Sequence, residues 1–299
     1  MKRKAFLVGL NRYPDPRNNL KGCVNDVLLM SKTLREQYSF NGPSDIKLLT
    51  DERATTANIR KGLEELVGES SAGDCLVFHY SGHGSQVRDV NGDELSDNLD
   101  EIICPYDLDW NNPFTDDDLA EICKKVPKGV LFTVILDCCH SGTGLREFFR
   151  PDLPIRYKFL TAPVEVRHRS EPRIENCGID RSVTMTGPDK RIPVRRFGVS
   201  VTKTNAVLIA GCRSDQTSAD AWIDGDYHGA LTYYLWRSLR DSKWKTSYKK
   251  LIAATGDALA DHNYDQVPQL EGPTKLLSST VFETTKQKRR PAETGRHLI

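Results

Sequence analysis

His83 and Cys139 are the two side chains of this 299-residue chain whose type and setting could carry covalent chemistry. Each lies just beyond a short apolar run: HYSGHGSQ (His79 to Gln86) includes and follows the end of one, and DCCHSG (Asp137 to Gly142) follows Leu131 to Leu136. A cysteine at neutral pH is mostly thiol, so a nucleophilic one needs a histidine or a positive dipole to favour the thiolate. His83 can supply that and later protonate a leaving amine, which is the chemistry of acyl transfer. Gly82 and Gly84 flank it, letting the backbone turn and a substrate approach closely. His79, inside the apolar run, reads as a packed residue. Cys139 is the better nucleophile of the cysteine pair, because Cys138 points to the opposite face of an extended segment. The same period of two puts Asp137 on the Cys139 face. A carboxylate there does not help make a thiolate; its natural use is to bind a cationic side chain of the substrate.

Other uses of these residues are weaker. A zinc site would want four ligands at suitable spacing, and no CxxC or second cluster appears. A redox pair of Cys138 and Cys139 would need a strained disulfide between neighbours. Cys75, Cys104 and Cys212 lie in or beside apolar runs and read as small core residues.

The elements that must position these groups alternate along the chain. Ala5 to Leu10, Ile46 to Leu49, Cys75 to Tyr80, Phe132 to Leu136 and Ala206 to Ala210 read as buried strands. Val24 to Tyr38, Thr56 to Val67, Asp116 to Val126, Gly229 to Arg240 and Tyr248 to Asp261 have helical spacing, and Thr115 is placed to cap the third. Such alternation predicts an α/β fold, a mainly parallel central sheet flanked by helices on both faces. In such sheets ligands sit beyond the carboxyl ends of the strands, where both motifs fall. Residues 1–149 carry both reactive groups. Residues 150–203 are rich in Pro and Arg without periodicity and read as a linker or insertion. Residues 204–283 complete the sheet, and 284–299 read as a basic tail.

With 38% hydrophobic and 28% charged residues, the chain can bury a real core. A net charge of +1 gives no overall footprint for nucleic acid. The apolar stretch near the N-terminus is too short for a signal-peptide core, and no window approaches the roughly 18 to 20 apolar residues of a membrane helix. The expectation is a soluble, cytoplasmic protein with reduced thiols and no membrane partner.

SGHG together with DCCHSG resembles the metacaspases, the caspase-related cysteine peptidases. Further matches are KGCVND (Lys21 to Asp26), GDELSDNLDEIICPYD (Gly92 to Asp107), TDDDL (Thr115 to Leu119) and GCRSDQTSADA (Gly211 to Ala221) followed by GALTYYL. The resemblance covers about residues 4–150 and 204–283. It implies a caspase-haemoglobinase fold and hydrolysis of protein or peptide substrates after Arg or Lys, by a chain that is typically a monomer. By matching position, Cys139 would be the nucleophile and His83 the general acid–base. Backbone N–H groups of Gly84 and Cys139 would form the oxyanion hole, and Asp26 and Asp137 the acidic floor of the specificity pocket. Many members need calcium, and Asp100, Asp116 and Asp117 match three of its ligand positions, with oxygen donors of the kind calcium takes. Arg146 stands where a fourth aspartate would, a cation that would repel the ion and could pair with the same carboxylates. The resemblance also implies self-cleavage in the linker, where Arg167, Arg169, Arg181, Lys190, Arg191, Arg195, Arg196 and Lys203 are acceptable sites. The alternative is a catalytically weak caspase-like domain serving as a regulatory or binding module.

Overall fold

Strands buried on both faces read as unbroken apolar runs, and here they alternate between two separate cores. The computed structural model describes residues 1–88, 99–139, 155–163, 166, 205–212 and 216–284. Its main sheet is built from β1 (Arg3–Gly9), β2 (Ile46–Thr50), β3 (Cys75–Ser81), β7 (Leu131–Asp137), β9 (Ala206–Ala210) and β12 (Gln269–Glu271). The strand order is β12-β9-β7-β3-β1-β2. All neighbours run parallel except β12, which lies antiparallel on β9.

The period of two divides each strand. Phe6 and Val8 of β1 and Phe78 of β3 pack under α2 (Thr56–Gly68) and α3 (Asp116–Lys124). Ala5 and Leu7, with Val77, pack under α1 (Cys23–Tyr38), α4 (Ala230–Asp241) and α5 (Tyr248–Asp261). Burying each such large apolar side chain contributes about 1.5–3 kcal/mol, so both layers are held firmly. At α3, Thr115 accepts from the Asp118 N–H while the Asp118 carboxylate accepts from the Thr115 N–H, a reciprocal cap.

Two small antiparallel sheets stand beside the main one, and the sequence pattern did not disclose them. One orders β4 (Gly84–Arg88), β5 (Leu99–Ile103) and β6 (Phe114–Thr115). The other orders β11 (Asp226–Gly229), β10 (Ala219–Ile223) and β8 (Ile155–Tyr157). The last of these strands lies inside the stretch that reads from sequence as a linker or insertion.

Candidate active site

Because β3 and β7 are parallel neighbours with Ser81 opposite Asp137, their carboxyl ends lie side by side. His83 follows one and Cys139 the other, so the register alone brings both motifs to one rim of the sheet. Cys138 is packed in the core with Tyr80 and Cys104, and burial raises its thiol pKa. His79 is fully buried within β3, its Nε2 3.1 Å from the Thr232 hydroxyl.

The N–H groups of Gly84 and Cys139 donate to one oxygen, the backbone carbonyl of Lys158, at 2.9 and 3.1 Å. That convergence depends on Gly84: a Cβ there would collide with the Cys139 carbonyl, so any larger residue would push β4 away from the end of β7. Lys158 directly follows β8, which pairs antiparallel with β10, and its own N–H donates to the Ser218 carbonyl at 3.0 Å. On the far side, Leu160 N–H donates to the Gly84 carbonyl at 3.0 Å and the Ser85 hydroxyl donates to the Leu160 carbonyl at 2.6 Å. An extended segment, Ile155 to Leu160, thus threads the rim where the two motifs meet.

The Lys158 side chain is wholly buried. Its ammonium lies 3.1 Å from Asp137 Oδ1, 3.3 Å from Asp26 Oδ2 and 2.9 Å from the Ser81 hydroxyl. Asp26 comes from the first turn of α1 and Asp137 from the last residue of β7. Both carboxylates are fixed by the N-terminal end of α4, whose free N–H groups suit an anion. Gly229 N–H donates to Asp26 at 3.0 Å; Thr232 N–H and hydroxyl donate to Asp137 at 3.0 and 2.7 Å. The Ser81 hydroxyl also donates to Asp26 at 2.7 Å. Burial works to raise the Asp26 pKa, but the Lys158 cation and the His228 and Ser81 contacts outweigh it and hold the carboxyl below its ordinary value. Burial likewise disfavours the Lys158 ammonium, yet Asp137, Asp26 and Asp220 keep it charged to well above the usual lysine range. Asp220 in turn accepts the N–H groups of Lys21 and Gly22, tying β10 to the start of α1.

His83 is fixed by two contacts: its N–H donates to the Tyr13 hydroxyl at 2.8 Å, and its Nε2 lies 2.7 Å from the Asn18 carbonyl. A carbonyl only accepts, so Nε2 carries the ring proton and Nδ1 is left as the basic nitrogen. Nδ1 has no hydrogen-bond partner among the described residues. Burial drives the imidazole pKa down to about 4, against the opposing pull of the Asn18 and Lys158 backbones, so the ring is neutral at pH 7. The Cys139 sulfur is held by Ser218, whose N–H donates to it at 2.6 Å and whose carbonyl lies 3.3 Å away.

Of the residues singled out from sequence, His83, Gly84, Cys139, Asp26 and Asp137 all gather around Lys158. Asp100 in β5 and Asp116 at the start of α3 are both buried, and Asp117 is half-buried. Among the described residues no three His, Cys, Asp or Glu side chains form a metal-holding group. Arg146 and the linker cations Arg167, Arg169, Arg181, Lys190, Arg191, Arg195, Arg196 and Lys203 lie outside the described residues.

Sequence reasoning missed Lys158, Ser218 and Gly229. The signal for Lys158 was present: IRYKFL is a β-prone hexapeptide holding a lysine, set between Pro154 and Pro163. Ser218 holds the Cys139 sulfur and the Lys158 N–H through backbone atoms that any residue has, and its hydroxyl donates to Asp137 Oδ1 at 3.3 Å. Gly229 acts by having no side chain: a Cβ would meet Lys158 Nζ and Asp137 Oδ2 and lie 2.7 Å from Asp26 Oδ2.

The family model for the metacaspase, peptidase C14 domain matches residues 3–147. The chain is 35% identical over 286 residues to Metacaspase-1 of Arabidopsis thaliana, covering 93% of this chain and 70% of that protein. It is 34% identical over 304 residues to Metacaspase-1 of Pyricularia oryzae, covering 94% and 74%. Among solved structures, a Geobacter sulfurreducens protein superposes with a TM-score of 0.64 at 23% identity, over 95% of this chain and 99% of that one. Caspase-1 of Spodoptera frugiperda does so with a TM-score of 0.56 at 14% identity, over 97% and 92%. The fold is caspase-like. Among the described residues no helix is long and apolar enough to cross a membrane.

Proposed function

The chain belongs to the metacaspases, a family of cysteine peptidases, and we propose that it is an endopeptidase cutting after Arg or Lys with Cys139 as nucleophile and His83 as general acid–base. One observation carries this reading. A lysine whose ammonium rests between Asp26 and Asp137 has its own carbonyl on the Gly84 and Cys139 N–H groups. A pocket that selects a cation and a cradle that holds a carbonyl oxygen are therefore spaced to fit one residue. In substrate, that residue is the one before the cut.

In the reaction so assigned, the Cys139 thiolate adds to the carbonyl carbon, and the two N–H groups stabilise the oxyanion that forms. Removing one such donor typically costs about 10²–10³-fold in rate. A neutral His83 can take the thiol proton and pass it to the departing amine nitrogen, so that the C–N bond breaks and a thioester remains. Water, deprotonated by the same imidazole, then releases the new carboxylate. Asp26 and Asp137 select the cation and stay out of the bond-making.

We read residues 1–149 and 204–283 as two parts of one catalytic unit. The pocket draws its carboxylates from the first part and Gly229 and Thr232 from the second. Protein or peptide substrates follow from the chemistry.

The test is hydrolysis of peptide reporters ending in Arg, Lys or Asp by wild type and Cys139→Ala. Cleavage after Arg and Lys that vanishes in the variant supports the assignment. Folded protein that cleaves none of them favours the alternative of a caspase-like binding module.

A further inference from the structure

We propose that His79 and Gln266 set the charge selectivity of the pocket from behind it: each turns one hydroxyl proton onto Asp137 and so keeps that carboxylate aimed at the cation of the residue before the cut. Both are positioning residues, buried out of reach of substrate, and the proposal rests on the peptidase reading above.

The donors run one way on each side of Asp137. From β3, His79 Nε2 lies 3.1 Å from the Thr232 hydroxyl, and that hydroxyl donates to Asp137 Oδ2 at 2.7 Å. A hydroxyl has a single proton, and a carboxylate takes it in preference to a neutral ring nitrogen. Nε2 must then carry the proton that the Thr232 oxygen accepts. Burial drives the imidazole pKa down to about 4, against the pull of Asp26 and Asp137, so the ring is neutral at pH 7 and has one N–H to give. Gln266, just before β12, repeats the arrangement. Its amide N–H groups donate to the Ser218 hydroxyl at 3.2 Å and the Gly211 carbonyl at 3.0 Å, while its Oε1 accepts from the Ala219 N–H at 3.0 Å. These partners fix the amide, since a flipped one would set N–H against N–H. The Ser218 oxygen is thereby occupied, and its proton goes to Asp137 Oδ1 at 3.3 Å. Together with the Thr232 N–H, these two hydroxyls hold Asp137 whether or not a cation lies between it and Asp26. Packing alone does not account for His79. It sits between Phe78 and Tyr80 in a fully buried strand, and its Nδ1 has no hydrogen-bond partner among the described residues, a cost that leucine would avoid.

Two measurements test this. The first needs no activity: the nitrogen NMR spectrum of imidazole-labelled Cys139→Ala at pH 7, with the His79 signals assigned by their loss in Cys139→Ala/His79→Gln. The expected ring is protonated on Nε2. Protonation on Nδ1 would make Nε2 the acceptor, draw the Thr232 proton off Asp137 and overturn the proposal. The second compares kcat and KM on reporters carrying arginine or norleucine before the scissile bond. Thr232→Val keeps the branched shape and the N–H but lacks the hydroxyl. Its arginine-to-norleucine ratio in kcat/KM should fall roughly 10- to 100-fold, through KM, and Thr232→Ser should recover it to within about threefold. His79→Leu frees that proton without removing it, so its ratio should fall about threefold to tenfold, as should that of Gln266→Met. His79→Gln restores an N–H at similar reach and should recover the ratio. An unchanged ratio in Thr232→Val and His79→Leu would overturn the proposal, as would losses that fall on both reporters alike and that Ser and Gln do not repair. In those outcomes the peptidase reading survives. Wild type that cleaves neither reporter would remove that reading, and this selectivity with it.

Discussion

An alanine at Gly229 should reduce kcat/KM for arginyl and lysyl substrates roughly 60-fold without straining the backbone. Gly229 has φ −65° and ψ 128°, extended geometry open to any residue, and its N–H would still reach Asp26. Only the space is at issue. The new methyl would land against the position of the Lys158 ammonium, inside the separation of about 3.5 Å that non-bonded atoms keep. The methyl also meets Asp137 Oδ2, so cation and carboxylates, now 3.1 and 3.3 Å apart, must retreat from one another by about 1 Å. At an effective dielectric constant of about 20, that retreat costs about 2.5 kcal/mol summed over the two pairs. Converted at 1.4 kcal/mol per decade, this is the roughly 60-fold loss. The assay compares wild type with Gly229→Ala on matched reporters carrying arginine or the uncharged, unbranched norleucine before the scissile bond. The arginine-to-norleucine ratio should fall, because the methyl removes charge recognition and leaves the oxyanion donors in place. A ratio equal to that of wild type would refute the assignment of this pocket.

Four further outcomes follow, three from the same geometry and one from the resemblance. His83, held near pKa 4 by burial, should titrate upward once the Ile155 to Leu160 segment leaves, followed by NMR in Cys139→Ala and Cys139→Ala/Lys158→Gln; an unchanged value would mean that the segment does not cover the ring. Because that folded-state pKa is depressed below the unfolded value of about 6.5, the unfolded chain binds the proton first; the stability tied to neutral His83 is full above about pH 6.5 and lost as pH falls toward 4. Urea unfolding of Cys139→Ala with and without His83→Asn isolates that slope from the one contributed by His79. Asp26→Asn in the Cys139→Ala background breaks a buried ion pair and should destabilise the whole chain by about 3–5 kcal/mol in chemical denaturation; a loss under 1 kcal/mol would place the charge of Lys158 elsewhere. Arg146→Asp should raise calcium affinity measured by titration calorimetry, since it replaces a cation by an oxygen donor beside Asp100, Asp116 and Asp117 in the resemblance; equal heats for both proteins would detach these aspartates from calcium.

The central sheet was legible because parallel strands buried on both faces leave continuous apolar runs, and the helices between them keep their own period. Thr115 was legible as a cap for a local reason, its spacing to Asp118. His83 and Cys139 were legible because glycines and strand ends mark them. The small ribbons were not: β8 has three residues and β6 two, too few for a period to register. Lys158 was hidden by distance. Its partners lie 132 residues upstream in Asp26 and in Asp137 at the end of another strand, and the β-prone IRYKFL around it announces a strand without naming what would neutralise a buried lysine. Gly229 was hidden because a position required to be empty leaves no chemical trace in a sequence.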